Sequence, residues 1–165
     1  MKLYAVTIGG DIPGAHIEVH DVRFVVAPAI TETYAELRRQ WWGTPRSLHI
    51  DSWVELTCAD GHDIALRPEP FAGPEKLWFV NLGGYEAGVF GESHRNVFVV
   101  AGNERQARAR ALRRVADWLD PHRDALFEAE KAFALAARPL HIHLTPAATA
   151  REPEAVSQYL PIGRT

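Results

Sequence analysis

The chain has 165 residues, 47% hydrophobic and 24% charged, the balance of a soluble globular domain. Its net charge of −3 excludes a global field that would gather nucleic acid, and its single cysteine, Cys58, excludes an intrachain disulfide. No apolar run approaches the roughly 18 residues of a membrane span and no leader of signal-peptide form is read, so no membrane partner and a reducing, cytoplasmic setting are expected.

Leu3–Ile8 (LYAVTI) is an apolar run stopped by Gly9-Gly10, which predicts a buried strand followed by a turn. Glu18–Ala27 reads as a second strand, ended by Pro28. Tyr34, Leu37 and Trp41 fall at helical spacing and predict a helix from a Thr31 cap to Gly43. Beyond it Leu48, Ile50, Ser52, Val54 and Leu56 alternate with His49, Asp51, Trp53 and Glu55, the period of a strand. Asp60-Gly61 marks a turn, and Asp63–Leu66 closes a hairpin.

The same pattern then recurs. Lys2–Ala27 and Lys76–Ala101 align without a gap at an offset of 74 and share 12 identities in 26 positions; unrelated stretches share roughly one or two, so an internal duplication is inferred. Leu77–Leu82 and Asn96–Ala101 repeat the first two strands, and a helix opens at Asn103 or Glu104 and runs to about Trp118. His122-x-Asp124-x-x-x-Glu128 has the spacing of His49-x-Asp51-x-x-x-Glu55, which places a strand over Asp124–Ala129, although ALFEAEKAFALAA by itself favours helix. Ile142-x-Leu144-x-Pro146 matches Ile64-x-Leu66-x-Pro68. Each unit is about 70 residues and marginal alone, so the halves are expected to share one core. The fold class is therefore α+β: two ββαββ repeats, residues 1–75 and 76–146, related by an approximate two-fold axis, with a tail over 147–165 in which Tyr159–Ile162 is the part expected to dock.

The duplication also points to a candidate site. Glu18, His20, His49 and Asp51 have counterparts in Glu92, His94, His122 and Asp124. In extended chain, residues two apart share a face, so each strand presents an imidazole beside a carboxylate. Two imidazoles with one or two carboxylates form the ligand set of many divalent metal sites, and also a workable acid–base pair. The plainer reading is structural: these groups satisfy the backbone of the glycine turn. Gly9-Gly10 and Gly83-Gly84 are a weaker candidate, a backbone anion nest; the spacing is not G-x-G-x-x-G, and a strand rather than a helix follows. Arg105, Arg108, Arg110, Arg113 and Arg114 make the second helix basic, but a solvated face opposite Ala107, Ala111 and Val115 accounts for them better than nucleic acid does.

KLYAVTIGG, IEVHDVRFVVA, LRRQWWG and LHIDSWVEL together resemble the bacterial family called domain of unknown function 1543, and KLWFVNLGGYEAGVFGESHRNVFVVA with PHRD resembles a second copy of it. The resemblance implies an acidic-x-His step after the glycine turn and a His-x-Asp step after the helix, and it implies no activity. The first functional expectation is a small binding or structural module built on the duplicated Glu/His/His/Asp cluster, with a divalent metal as the one cofactor in view. The second is a metal-dependent or acid–base hydrolase using His20, His49 and a partner carboxylate. The third is a nucleic-acid binder through the second helix. A homodimer is left open.

Overall fold

The computed structural model describes residues 1–85, 88–116 and 128–163. Among them, ten strands and two helices follow in the order β1 (Lys2–Gly10), β2 (Val19–Ala27), α1 (Tyr34–Gln40), β3 (His49–Glu55), β4 (Cys58–Ala59), β5 (His62–Arg67), β6 (Lys76–Gly84), β7 (Ser93–Ala101), α2 (Glu104–Arg114), β8 (Glu128–Ala134), β9 (His141–Pro146) and β10 (Ala155–Pro161). The mixture is α+β, dominated by antiparallel strands.

The strands form three sheets, ordered β10-β3-β1-β2, β7-β6-β8 and β4-β5-β9. In the first, β1 is central, with Lys2 opposite Ala27 on β2 and Gly9 opposite both His20 and His49. In the second, β6 is central, with Lys76 opposite Ala101 on β7 and Gly83 opposite both His94 and Glu128. The β1–β3 register slips between Thr7 and Ile8, and the β6–β8 register slips between Asn81 and Leu82. The third sheet joins the halves, since β5 pairs with β9 and sets Ile64 opposite Leu144 and Leu66 opposite Ile142.

Both central strands are buried on two faces, which is why each reads as a continuous apolar run rather than an alternation. Tyr4, Val6 and Ile8 pack with Leu37 of α1, Trp41 and Ile162. Trp78, Val80 and Leu82 pack with Ala107 and Ala111 of α2. The opposite faces meet each other: Leu3, Ala5 and Leu56 share a core with Leu77, Val100 and Leu144. Phe24 of β2 lies 5.2 Å, ring to ring, from Phe79 of β6. The layers are thus helix, sheet, sheet, helix, with one apolar core between the two sheets. Asp60 adds a polar tie across the halves, accepting from the Val100 N–H at 2.9 Å and from Arg110 at 3.2 Å.

Several local expectations change. The first helix is shorter than Thr31–Gly43: a 3-10 turn covers Ile30–Thr33 and α1 stops at Gln40. Thr31 is not its cap; the buried Thr33 hydroxyl instead donates to the Ile30 carbonyl at 2.6 Å. Trp41 turns extended, and its indole N–H is held by the Thr44 carbonyl at 3.0 Å, so the helix cannot run on to Gly43. Asn103 does cap α2, accepting from the Gln106 N–H at 3.0 Å; Trp118 lies outside the described residues. The strand expected over Asp124–Ala129 lies further along, at Glu128–Ala134, with the start of the expected span outside the described residues. There Ala129, Ala132 and Ala134 pack toward α2, and pairing with β6 overrides the helical preference of this segment. The tail is a built strand: β10 pairs with β3, and Ile162 is only 2% exposed.

Candidate metal centre

Gly9 is where the first cluster is assembled. Its two cross-strand neighbours are His20 and His49; Glu18 lies two residues before His20 and Asp51 two residues after His49. A Cβ at Gly9 would stand 2.6 Å from His49 Nε2 and 2.7 Å from His20 Cδ2, so the two imidazoles close over a position that only glycine leaves free.

The distances within the cluster are informative. His20 Nε2 lies 3.5 Å from Glu18 Oε1 and 3.4 Å from Asp51 Oδ2. His49 Nε2 lies 3.7 Å from Glu18 Oε2 and 3.3 Å from Asp51 Oδ1. Direct hydrogen bonds between such groups are shorter, about 2.7–2.9 Å. Four ligands held tetrahedrally about 2.0–2.1 Å from one zinc-sized ion lie roughly 3.3–3.4 Å apart. Ligand atoms of Glu18, His20 and His49 all fall within 4.8 Å of one another. Asp51 stands against both imidazoles, beside that trio.

His49 decides how the cluster can act. Its side chain is 3% exposed, and its Nδ1 lies 2.9 Å from the Ser47 carbonyl. A carbonyl only accepts, so Nδ1 carries a proton, and in the neutral ring Nε2 is the nitrogen that presents a lone pair to the cluster. Among the described residues, Nε2 of His49 and Oδ2 of Asp51 are buried without a hydrogen-bond partner. A backbone carbonyl fixing the tautomer of an otherwise unpartnered imidazole is the arrangement of a metal-binding histidine. The ring of Tyr159, from β10, lies 4.7 Å from the His49 ring and covers it. His20 and Glu18 are about half exposed, at 47% and 48%, so the cluster is closed below and open above.

The second cluster forms over Gly83. A Cβ there would stand 2.7 Å from Glu92 Oε1 and 2.9 Å from Glu130 Oε1. His94 lies 3.7 Å from Glu92 through Nε2 and 3.6 Å from Glu130 through Nδ1. The backbone position opposite Gly83 that matches His49 opposite Gly9 belongs to Glu128, and Glu130 lies two further on, as Asp51 does. His122 and Asp124 lie outside the described residues. Glu130 therefore joins a site at which the His-x-Asp spacing pointed elsewhere. A usable signal existed in Leu56 and Leu135, whose N–H groups bond to the carbonyls of Leu3 and Leu77 at 2.9 and 2.8 Å; aligning the strands on those leucines sets Glu130 on Asp51.

The other candidates separate from these clusters. Carboxylates stand over Gly83 and beside the two imidazoles that stand over Gly9, which disfavours an anion at these glycines. A Cβ at Gly10 would meet Ser47 and Trp41 rather than open space. On α2, Arg108 pairs with Glu104 at 2.8 Å, Arg110 with Asp60 at 3.2 Å, and Arg114 with Glu152. These pairings neutralise most of the charge that the helix would offer a polyanion. No helix among the described residues is long and apolar enough to cross a membrane.

The architecture and site define the class first: an α+β protein of two facing antiparallel sheets, with histidine–carboxylate clusters over glycines that end the central strands rather than turn after them. A family likeness comes from residues 15–66, which match the model of the Domain of Unknown Function DUF1543 and include every residue of the Gly9 cluster except the glycine. The first half of the chain thus carries a domain similar to that family. It is also similar to the crystal structure of protein Il1583 from Idiomarina loihiensis, at 31% identity and a TM-score of 0.75, with 99% of each chain covered. None of the curated proteins matches it.

Proposed function

We propose that this chain is a small metal-binding module whose primary centre is the Glu18/His20/His49/Asp51 cluster over Gly9. The carrying observation is His49: a buried imidazole with its tautomer fixed by the Ser47 carbonyl and its Nε2 lone pair unpartnered and aimed at two carboxylates and a second imidazole. Two imidazoles with carboxylate oxygens suit zinc, manganese, iron or nickel better than calcium or magnesium. The second half is read as a diverged copy of the first, with Glu92, His94 and Glu130 as a secondary cluster poorer in nitrogen. That cluster favours a harder cation or none.

A hydrolytic role is the second reading, and one observation favours it. With His20 and Glu18 half exposed, an ion at the cluster would keep a position open to water, as catalytic rather than structural zinc sites do. A resident metal would polarise that water; Glu18 or Asp51 is placed to accept its proton.

Elemental analysis of the purified untagged protein tests the primary reading, beside a His49→Ala variant and a His20→Ala/His94→Ala double variant. Near-stoichiometric transition metal, lost in both variants, is the expected result. A metal-free protein that also fails to take up zinc, manganese, iron or nickel on titration would overturn it.

A further inference from the structure

The two sheets touch at one end and part at the other. At Leu3 and Leu77 they share a packed core, but two turns of the pleat further along, Thr7 and Asn81 are polar and the sheets separate. The resulting cleft has a volume of about 460 Å³, within the range of small-molecule sites, and His20 stands on one of its walls and His94 on the other.

The cleft is chemically lopsided. Asn81 on β6 has Asn96 as its neighbour on β7 and Lys131 as its neighbour on β8, so three donor-bearing side chains come from adjacent strands. Asn81 Nδ2 donates to Asn96 Oδ1 at 2.9 Å, which leaves the Asn96 amide N–H groups uncommitted by that bond. Arg23 also lines the cleft but is paired with Asp21. Lys131 is exposed and makes no ion pair among the described residues. Beside these donors lies an aromatic floor: Phe79 is buried, whereas Phe133, 5.5 Å away ring to ring, is 44% exposed.

We infer that this cleft is a ligand site for a small organic anion with an apolar body, its carboxylate or phosphate held by Lys131 and Asn96 and its body laid on Phe133. Ammonium and amide N–H donors both act on an anionic oxygen, and Phe133 otherwise leaves an aromatic face in water. The inference goes beyond the metal reading, because Lys131, Asn96 and Phe133 belong to neither cluster. The two are linked through charge: Asp21 lines the cleft, paired with Arg23, and Glu18, Asp51, Glu92 and Glu130 stand behind the lining histidines; these carboxylates oppose an anion, and a cation at Gly9 offsets part of that opposition.

The test is an NMR titration of the full chain, in zinc-saturated and in chelator-treated form, with phenylphosphate, phenylacetate and neutral benzyl alcohol. Saturable amide shifts centred on Thr7, Asn81, Asn96 and Phe133 are expected with the two anions. Benzyl alcohol and the Lys131→Gln variant should each show about tenfold weaker binding. Phe133→Ala should weaken both anions, and the stronger anion identifies the head group, phosphate or carboxylate. Benzyl alcohol binding as tightly as the anions, Lys131→Gln without effect, or no saturable shift in either form would overturn the inference. So would binding that requires zinc and shifts only residues around Gly9, because the anion would then sit on the metal. Loss of zinc uptake with the Lys131-dependent binding intact would remove the metal reading and leave the cleft standing.

Discussion

The Gly9 and Gly83 clusters stand on the same scaffold and differ in what closes them. In both, a glycine on a central strand lies between a histidine of the following strand and a residue of the strand beyond the helix. In the first half that residue is His49, buried, tautomer-fixed and roofed by Tyr159 of β10. In the second half β8 brings Glu128 to that position and Glu130 two residues on, and β8 carries no outer strand among the described residues. A hairpin supports each site, β1–β2 the first and β6–β7 the second; the strand beyond the helix, and whether another strand covers it, decides what each site can hold.

The largest test of that contrast removes the cover. Ile162 follows β10, is 2% exposed, and is pinned by its N–H to the Leu48 carbonyl at 3.0 Å. Ile162→Ala should cost about 2–4 kcal/mol in urea unfolding, and hydrogen exchange should accelerate along β3 more than along β8. Equal acceleration in both would show that β10 stabilises the whole protein rather than the Gly9 site. Next, His49→Ala should weaken zinc binding about a hundredfold or more, roughly 2.7 kcal/mol, while His94→Ala changes it less than threefold. Equal losses from the two variants would break the asymmetry.

The two glycines sharpen it further. An alanine Cβ at Gly9 meets the edge of a buried ring, whereas at Gly83 it meets the ends of two flexible carboxylates. Gly9→Ala should cost about 1–3 kcal/mol and abolish metal uptake; Gly83→Ala should cost less than about 1 kcal/mol. Thermal unfolding of the pair gives the comparison directly.

How much of this was legible depends on burial. β1, β2, β6 and β7 could be read because their apolar runs, glycine turns and mutual alignment agree. The Glu18/His20 and Glu92/His94 steps came with them. β8 was harder. EAEKAFA is rich in helix formers, and becomes a strand only because β6 offers an edge and its alanines fit beneath α2. The His-x-Asp spacing of His49 and Asp51 recurs at His122, six residues before Glu128, and so points away from Glu130, which has no histidine two residues before it. β10 was obscure because all but one of its residues are exposed, leaving little alternation to read. The cleft had no local signature at all: Asn96 and Lys131 become neighbours of Asn81 only through strand order.

The smallest expected effect concerns the helices. In α1, Arg39 holds Glu36 through bonds of 2.5 and 2.8 Å, and this hydrogen bonding keeps the Glu36 carboxyl below the usual carboxylate range. A folded-state value below the unfolded one stabilises the protein above the unfolded pKa. That contribution is lost as the pH falls through the folded value. Both side chains reach solvent, at 36% and 73% exposure, so screening confines the contribution to roughly 0.5 kcal/mol. Glu36→Gln should therefore lower stability by about that amount near neutral pH, and the difference should vanish in acid, below the folded pKa. Salt should shrink the neutral-pH difference as well, because the pair is exposed. A Glu36→Gln penalty that persists in acid would mean that the side chain acts through packing against α1, and that the first helix is held by its contacts with Val6 and Ile8 rather than by its own charges.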